Sequence, residues 1–369
     1  MSVLQVEIQL IAIVTAVACA LPGSFLVLRR MSMMSDAISH TVLLGIVLAF
    51  FLVGDLTSPL LVLGAAAVGL LTVSLVALIE RTGLVKEDAA IGLVFPALFS
   101  IAVILISRYA GNVHLDTDAV LVGELAFAPF DRLVVGGADL GPRGLYVMGG
   151  ILLLNLLFIA IFFKELKLST FDAGLAAVLG FAPALLHYAL MGLVSVTVVG
   201  AFDIVGSVLV VALMVAPAAT AYMLTNRLPV MIGLSALIGA LGAVMGYWLS
   251  FLLDASIAGS MAASLGVLFA LAYLFAPGRG LVAIARRRKQ QREEFAVTML
   301  TGHLLNHEGT IAAQGENEVR HLGEHLRWQA DWAGRVVRRA QEEGLVTVEG
   351  EHLRLSPKGR ERAARSVTG

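Results

Sequence analysis

Apolar positions in this chain fall in long unbroken runs, and only near the carboxyl terminus do they thin into helical and alternating patterns. About nine runs are long enough to cross a bilayer, which takes about 20 apolar residues in a helix. They lie at roughly 8–28, 37–54, 59–79, 90–107, 145–163, 180–200, 204–224, 230–253 and 257–276. The stretch 180–224 is nearly continuous and is divided at Gly200-Ala201-Phe202-Asp203, where a glycine and a charge predict a turn. Beyond residue 285 the pattern changes. Helical periodicity covers 293–307, 315–326 and 329–343, and Leu345–Leu355 then alternates apolar and polar around Gly350, a β-hairpin signal. A last short helix follows Ser356-Pro357-Lys358-Gly359. The expected architecture is an all-α polytopic membrane protein with about nine transmembrane helices over 1–285. A small α+β domain over 286–369, helices followed by a hairpin in the manner of a winged helix, completes it.

Composition agrees with this division. The 369 residues are 58% hydrophobic and only 14% charged, with mean hydropathy +0.88, which no ordinary soluble domain matches. Residues 1–285 hold 26 of the Asp, Glu, Lys and Arg side chains and the last 84 residues hold the other 27. The net charge of -1 says little about partners. Local charge says more, because loops rich in Lys and Arg stay on the cytoplasmic side. Arg29 and Arg30, Arg81 and Lys86, Lys164 and Lys167, Arg227, and Arg286-Arg287-Arg288-Lys289 follow alternate runs. That predicts an outer amino terminus and a cytoplasmic tail. Glu7 stands where a cleavable signal would be basic, and the first run flows into the first span. Cys19, the sole cysteine, falls inside a span and excludes an intrachain disulfide or thiolate cluster. Gly and Ala crowd the spans, as in Gly64-Ala65-Ala66-Ala67-Val68-Gly69, and let helices pack backbone to backbone.

Against this apolar background the few ionisable residues stand out, since such groups in a membrane are costly. Asp36 and His40, in Ser35-Asp36-Ala37-Ile38-Ser39-His40, are four apart and share one helix face. They offer an oxygen and a nitrogen ligand to a divalent cation; the plainer readings are a helix cap for Asp36 and a structural hydrogen bond for His40. Asp203 either caps the following helix or faces the pathway. His187 is read as packing or an interhelical hydrogen bond. In the loop 108–144, Glu124 stands alone among apolar neighbours and is the stronger metal candidate; His114, Asp116 and Asp118 read as a solvated loop or as ligands suited to Mn²⁺, Fe²⁺ or Zn²⁺. Pro217 interrupts its run and predicts a kink or an unwound turn. The chain holds no G-x-x-x-x-G-K-[ST] loop, no H-E-x-x-H and no nucleophile elbow, so any ATP hydrolysis belongs to another subunit. A transporter driven by an ion gradient and a membrane-anchored transcription regulator are the alternatives that composition leaves open.

Three segments in order carry a resemblance. They are Arg29-Arg30-Met31-Ser32-Met33-Met34-Ser35-Asp36-Ala37-Ile38-Ser39-His40, then Phe171-Asp172 with Gly180, then Val205 through Ala221 around Ala216-Pro217-Ala218. Together they resemble the permease subunit of bacterial ABC importers for manganese, iron and zinc, over nearly all of 1–280. The resemblance implies a non-enzymatic subunit of the inner membrane, bounded by lipid, that passes Mn²⁺ first, then Fe²⁺ or Zn²⁺, as transported substrate and holds no permanent cofactor. It implies two cytoplasmic ATP-binding cassette subunits, an extracytoplasmic metal-binding protein, and a second permease, identical or sister. Asp36 and His40 match the family's metal-pathway motif. Phe171-Asp172-Ala173-Gly174 matches the ATPase-contacting segment, with Ala173 and Gly174 where the family has proline and an acidic residue. Arg335–Gly359 resembles the DNA-binding domain of repressors of the diphtheria-toxin-repressor type. DNA is an unlikely partner, because residues 290–369 hold 11 Lys and Arg against 12 Asp and Glu. The tail's histidine pairs, His303 with His307 and His321 with His325, have chelating spacing on helices, or line a solvated face.

Overall fold

The computed structural model describes residues 2–54, 58, 60–109, 125–135, 138–308, 322, 326–350 and 352–368. Among them, eight helices are long and apolar enough to cross a membrane. These are α1 (Val3–Leu28), α2 (Ser32–Val53), α3 (Leu60–Arg81), α4 (Glu87–Tyr109), α5 (Arg143–Ile161), α8 (Pro183–Leu224), α9 (Leu228–Leu253) and α10 (Ile257–Phe275). A hairpin, β1 (Arg132–Val135) with β2 (Ala138–Pro142), precedes α5, and two short helices, α6 (Phe163–Phe171) and α7 (Ala173–Val178), precede α8. The chain divides into two compact units, Met1–Arg279 and Gly280–Gly369.

Helices in an apolar body must satisfy their own backbone, and prolines test this. Pro22 lies inside α1. It has no N–H for the carbonyl of Ala18, four residues earlier. The amide of Asn155 in α5 donates to that carbonyl at 2.8 Å and to Thr197 Oγ1 of α8 at 3.1 Å. Asn155, Thr197 and Ala18 are fully buried, so one amide joins three helices where no water reaches. Small residues set the closest approaches. A Cβ on Gly23 would sit 2.0 Å from the Met214 carbonyl oxygen, so only glycine lets α1 cross α8 there.

Helix α8 has 42 residues, about 63 Å if straight, twice the hydrocarbon core. It is not straight. Gly206 has φ 76° and ψ 167°, a conformation essentially reserved for glycine. Contacts along α1 show that the chain reverses there. His187, the fifth residue of α8, lies beside Arg29 at the end of α1. Thr197 is level with Ala18 through Asn155, and Ile204 packs on Gly144 near Ile11. After Gly206 the chain returns, for Met214 lies against Gly23. Helix α9 then starts at the Arg29 end, since Ser235 donates to the Ala20 carbonyl at 3.2 Å and Gly239 abuts Ala16. Residues 183–205 and 207–224 are therefore two antiparallel limbs, each long enough for a single pass.

The turn expected at Gly200–Asp203 is thus helical, and the break lies at Gly206. Gly200 serves packing: a Cβ there would meet Ile151 Cδ1 at 2.3 Å. Pro217 neither breaks nor unwinds its limb, for Gly206 is the one non-helical residue inside α8. Two other boundaries move. Helix α1 starts at Val3, where Ser2 and Gln5 form a reciprocal capping box, and α2 starts at Ser32 rather than 37.

The second unit begins with α11 (Leu281–His307), which starts twelve residues before the periodicity at 293 because Gly280 is the nearest breaker. Helix α12 (Ala330–Glu342), strands β3 (Val346–Glu349) and β4 (His352–Leu355), and α13 (Pro357–Thr368) follow. The hairpin pairs Val346 with Leu355 and Glu349 with His352, around Gly350 at φ 70°. Val297, Leu300, Leu304, Val336, Leu345 and Leu353 form its core. The helix expected at 315–326 lies almost wholly outside the described residues, as do His321 and His325.

Candidate metal pathway site

Because α2 starts at Ser32, Asp36 is its fifth residue and His40 its ninth. Met31 occupies the cap position, so Asp36 is no cap. At 1.5 Å per residue the two lie about 6 and 12 Å inside the helix from its Arg29 end. His40 Nε2 stands 3.4 Å from Asp36 Oδ1, with the side chains 29% and 34% exposed. That separation suits one cation. Two ligands at about 2.1 Å from a metal, subtending a tetrahedral angle, lie about 3.4 Å apart. The His40 ring stacks on Phe95 of α4 at 5.6 Å and meets the edge of Phe99 at 6.0 Å. These two rings, four apart on α4, fix the imidazole plane. No spacing in the sequence signals them, because Phe95 lies 55 residues from His40.

The pair is polar, partly exposed and flanked by buried Ser35, Ala37, Ile38 and Ser39. Among the described residues no group of three or more His, Cys, Asp or Glu is close enough to hold a metal ion. One chain offers two candidate ligands here, Asp36 and His40.

Asp203 does not join them. Ile38 and Ser195 both pack at Gly69, so they are level. Asp203 lies eight residues beyond Ser195, which puts it about 12 Å farther toward the opposite end. It is exposed, three residues before the reversal at Gly206. With metal–ligand bonds of about 2 Å, Asp203 and His40 cannot share one ion in this arrangement. Glu124 lies outside the described residues, with His114, Asp116 and Asp118.

His187 makes the interhelical contact expected of it: Nδ1 is 3.5 Å from Arg29 Nη1. Asp172 caps α7, accepting from the Leu175 N–H at 2.9 Å. Around it Phe171, Leu175, Val178 and Leu179 are exposed apolar side chains on a short segment. In the second unit the rings of His303 and His307 are 4.6 Å apart.

The ABC 3 transport family matches residues 3–276. The chain is 50% identical over 356 residues to the zinc transport system membrane protein TroD of Treponema pallidum, covering 96% of this chain and 97% of that one. It is 49% identical over 284 residues to the manganese transport system membrane protein MntD of Bacillus subtilis, covering 77% of this chain and 96% of that one. Among solved structures, PsaBC from Streptococcus pneumoniae in complex with Fab aligns with TM-score 0.63 at 31% identity, over 76% of this chain and 94% of that one.

Proposed function

From the premise that the chain belongs to the ABC 3 transport family, we propose that it is the membrane subunit of an ATP-driven importer of Mn²⁺ or Zn²⁺. The observation that carries this reading is the Asp36–His40 pair, an oxygen and a nitrogen 3.4 Å apart inside α2. The relatives named for zinc and for manganese stand at 50% and 49% identity, and an Asp–His ligand set accepts either ion, with Fe²⁺ a competitor. Hydrolysis belongs to a separate ATP-binding cassette subunit, because the chain holds no phosphate-binding loop.

Two copies, or one copy and a sister permease, bring two such pairs together and complete a four-ligand shell. That doubling also removes the cost of facing a carboxylate and an imidazole toward lipid. Four ligands replace enough of the ion's water to admit it. A shell shared across an interface opens when the protomers shift, so release needs no single strong bond to break. An extracytoplasmic binding protein delivers the ion at the end holding the β1–β2 hairpin and the Gly206 reversal. The basic residues at the other end, Arg29, Arg30, Arg81, Lys164 and Lys167, support a cytoplasmic position for that end. Counting the two limbs of α8 separately gives nine crossings, which supports an outer amino terminus and an inner winged-helix-like tail. The exposed apolar segment Phe171–Leu179 is the surface on which the ATPase docks.

The test is uptake of radiolabelled manganese and zinc by cells carrying Asp36→Ala or His40→Ala. Each variant, present in the membrane at the normal level, is expected to take up less than a tenth of the wild-type amount. Wild-type uptake by both would remove the pair from the pathway.

A further inference from the structure

Arg29 closes α1, and its backbone and side chain tie three elements together. The backbone forms a Schellman turn: Arg30 N–H donates to the Val27 carbonyl at 3.1 Å and Met31 N–H to the Leu26 carbonyl at 2.9 Å. Arg30 takes the left-handed conformation, φ 63°. Two residues later α2 begins. The end of α1 and the start of α2 thus move as one piece. The Arg29 guanidinium reaches two other elements. Nε donates to Thr170 Oγ1 at 3.1 Å and Nη2 to Ser169 Oγ at 2.9 Å, in the last turn of α6. Nη1 lies 3.5 Å from His187 Nδ1, near the start of α8.

The choice of partners matters. Ser169 and Thr170 immediately precede Phe171 and Asp172, the start of the exposed segment on which the proposed docking rests. Among the described residues the side-chain partners of Arg29 are neutral: two hydroxyls and an imidazole. Charged side chains taken out of water are almost always paired. Neutral hydroxyl contacts are weaker and are remade at low cost when an element shifts. On its other side, the rigid turn leads within seven residues to Asp36.

We propose that Arg29 is a positioning residue that couples the α6–α7 segment to α2, so that displacement of the docking segment by the ATPase reaches Asp36 and His40. This rests on the reading of Phe171–Leu179 as the docking surface. Pulling α6 by its hydroxyls moves the guanidinium, the Schellman turn carries the motion into α2, and His187 carries it into the first limb of α8. Coupling of this kind is a free energy between two sites and is measured as a ratio, not as a loss of either activity alone.

The experiment uses the full chain reconstituted in liposomes with its ATPase and binding protein, and reads ATP hydrolysis and metal uptake on the same vesicles. Arg29→Gln removes the charge and part of the fork. Ser169→Ala/Thr170→Ala removes the partners and leaves Arg29 and the turn in place, which guards against a folding defect. Both variants are expected to recruit the ATPase at wild-type stoichiometry and to hydrolyse ATP, while metal moved per ATP falls about tenfold for Arg29→Gln and less for the hydroxyl pair. An unchanged ratio in both variants overturns the coupling role. Equal losses of hydrolysis and uptake in both also overturn it, because a merely structural role would produce that. A wild-type chain that recruits no ATPase would overturn the docking reading and the coupling role with it; recruitment with unchanged ratios rejects the coupling role alone.

Discussion

Replacing Asn155 by leucine tests how the apolar body satisfies its backbone. The substitution keeps the branched shape and exchanges Oδ1 and Nδ2 for methyl groups. The amide's contacts disappear: Nδ2 with the Ala18 carbonyl at 2.8 Å, and Thr197 Oγ1 with Nδ2 at 3.1 Å and with Oδ1 at 3.3 Å. Thr197 keeps its bond to the Leu193 carbonyl at 2.7 Å. The Ala18 carbonyl loses its Asn155 donor, and Pro22, four residues on, has no N–H to replace it. A buried orphan of this kind costs about 1–3 kcal/mol. Measured polar pairs between membrane helices average about 0.6 and reach about 1.7 kcal/mol. A loss of about 1–2 kcal/mol is therefore expected for Asn155→Leu. The discriminating variant is Asn155→Leu/Pro22→Ala, in which the alanine N–H takes up the Ala18 carbonyl within α1. In detergent, with stability followed by reversible unfolding, the asparagine substitution should cost at least 0.6 kcal/mol less in the Pro22→Ala background than in the wild type. Equal costs in both backgrounds would refute the assignment of Asn155 as the partner of a proline-freed carbonyl.

Three further outcomes follow from the same geometry. Gly206→Ala forces a side chain onto φ 76° and ψ 167° and should cost about 1–3 kcal/mol. Gly200→Ala meets only the movable Ile151 Cδ1 and should cost less; the opposite order in thermal unfolding would place the reversal elsewhere. In the tail, a hydrogen bond from Arg360 holds the Glu308 carboxyl below the ordinary 4.5. Partial burial pushes Glu343 up, but hydrogen bonds from Arg339 and Arg362 outweigh it and hold that carboxyl below 4.5 as well. A depressed folded value means stability that is present above 4.5 and lost as pH falls through the folded value. Fluorescence of Trp328 and Trp332 in a Trp248→Phe chain should thus change only below about pH 4.5; a transition near neutrality would contradict it.

Much of the body was legible because a membrane makes hydropathy the dominant signal. The runs located every long helix to within a few residues, and the Asp36–His40 spacing placed both side chains on one face. What hydropathy hides is backbone conformation. Gly200 and Gly206 look alike in sequence, yet one fills a close helix contact and the other takes a glycine-only conformation. Asp203 drew the turn toward itself, although a charge near the end of a limb needs no break beside it. Pro217 reads as a kink or an unwound turn, yet the second limb of α8 runs through it; Pro22 sits inside α1, where Asn155, 133 residues beyond it, takes up the freed carbonyl. The contacts of His40 with Phe95 and of Arg29 with Ser169 and Thr170 are equally non-local, and no periodicity encodes them.

The central claim is that His40, with Asp36, binds the transported ion. Pulsed electron paramagnetic resonance on Mn²⁺ bound to the assembled permease reads this directly, because an imidazole ligand imprints nitrogen modulation on the manganese echo. The account predicts that modulation in the wild type and its loss in His40→Gln. Bound manganese without nitrogen modulation in the wild type, or modulation that survives His40→Gln, would contradict it.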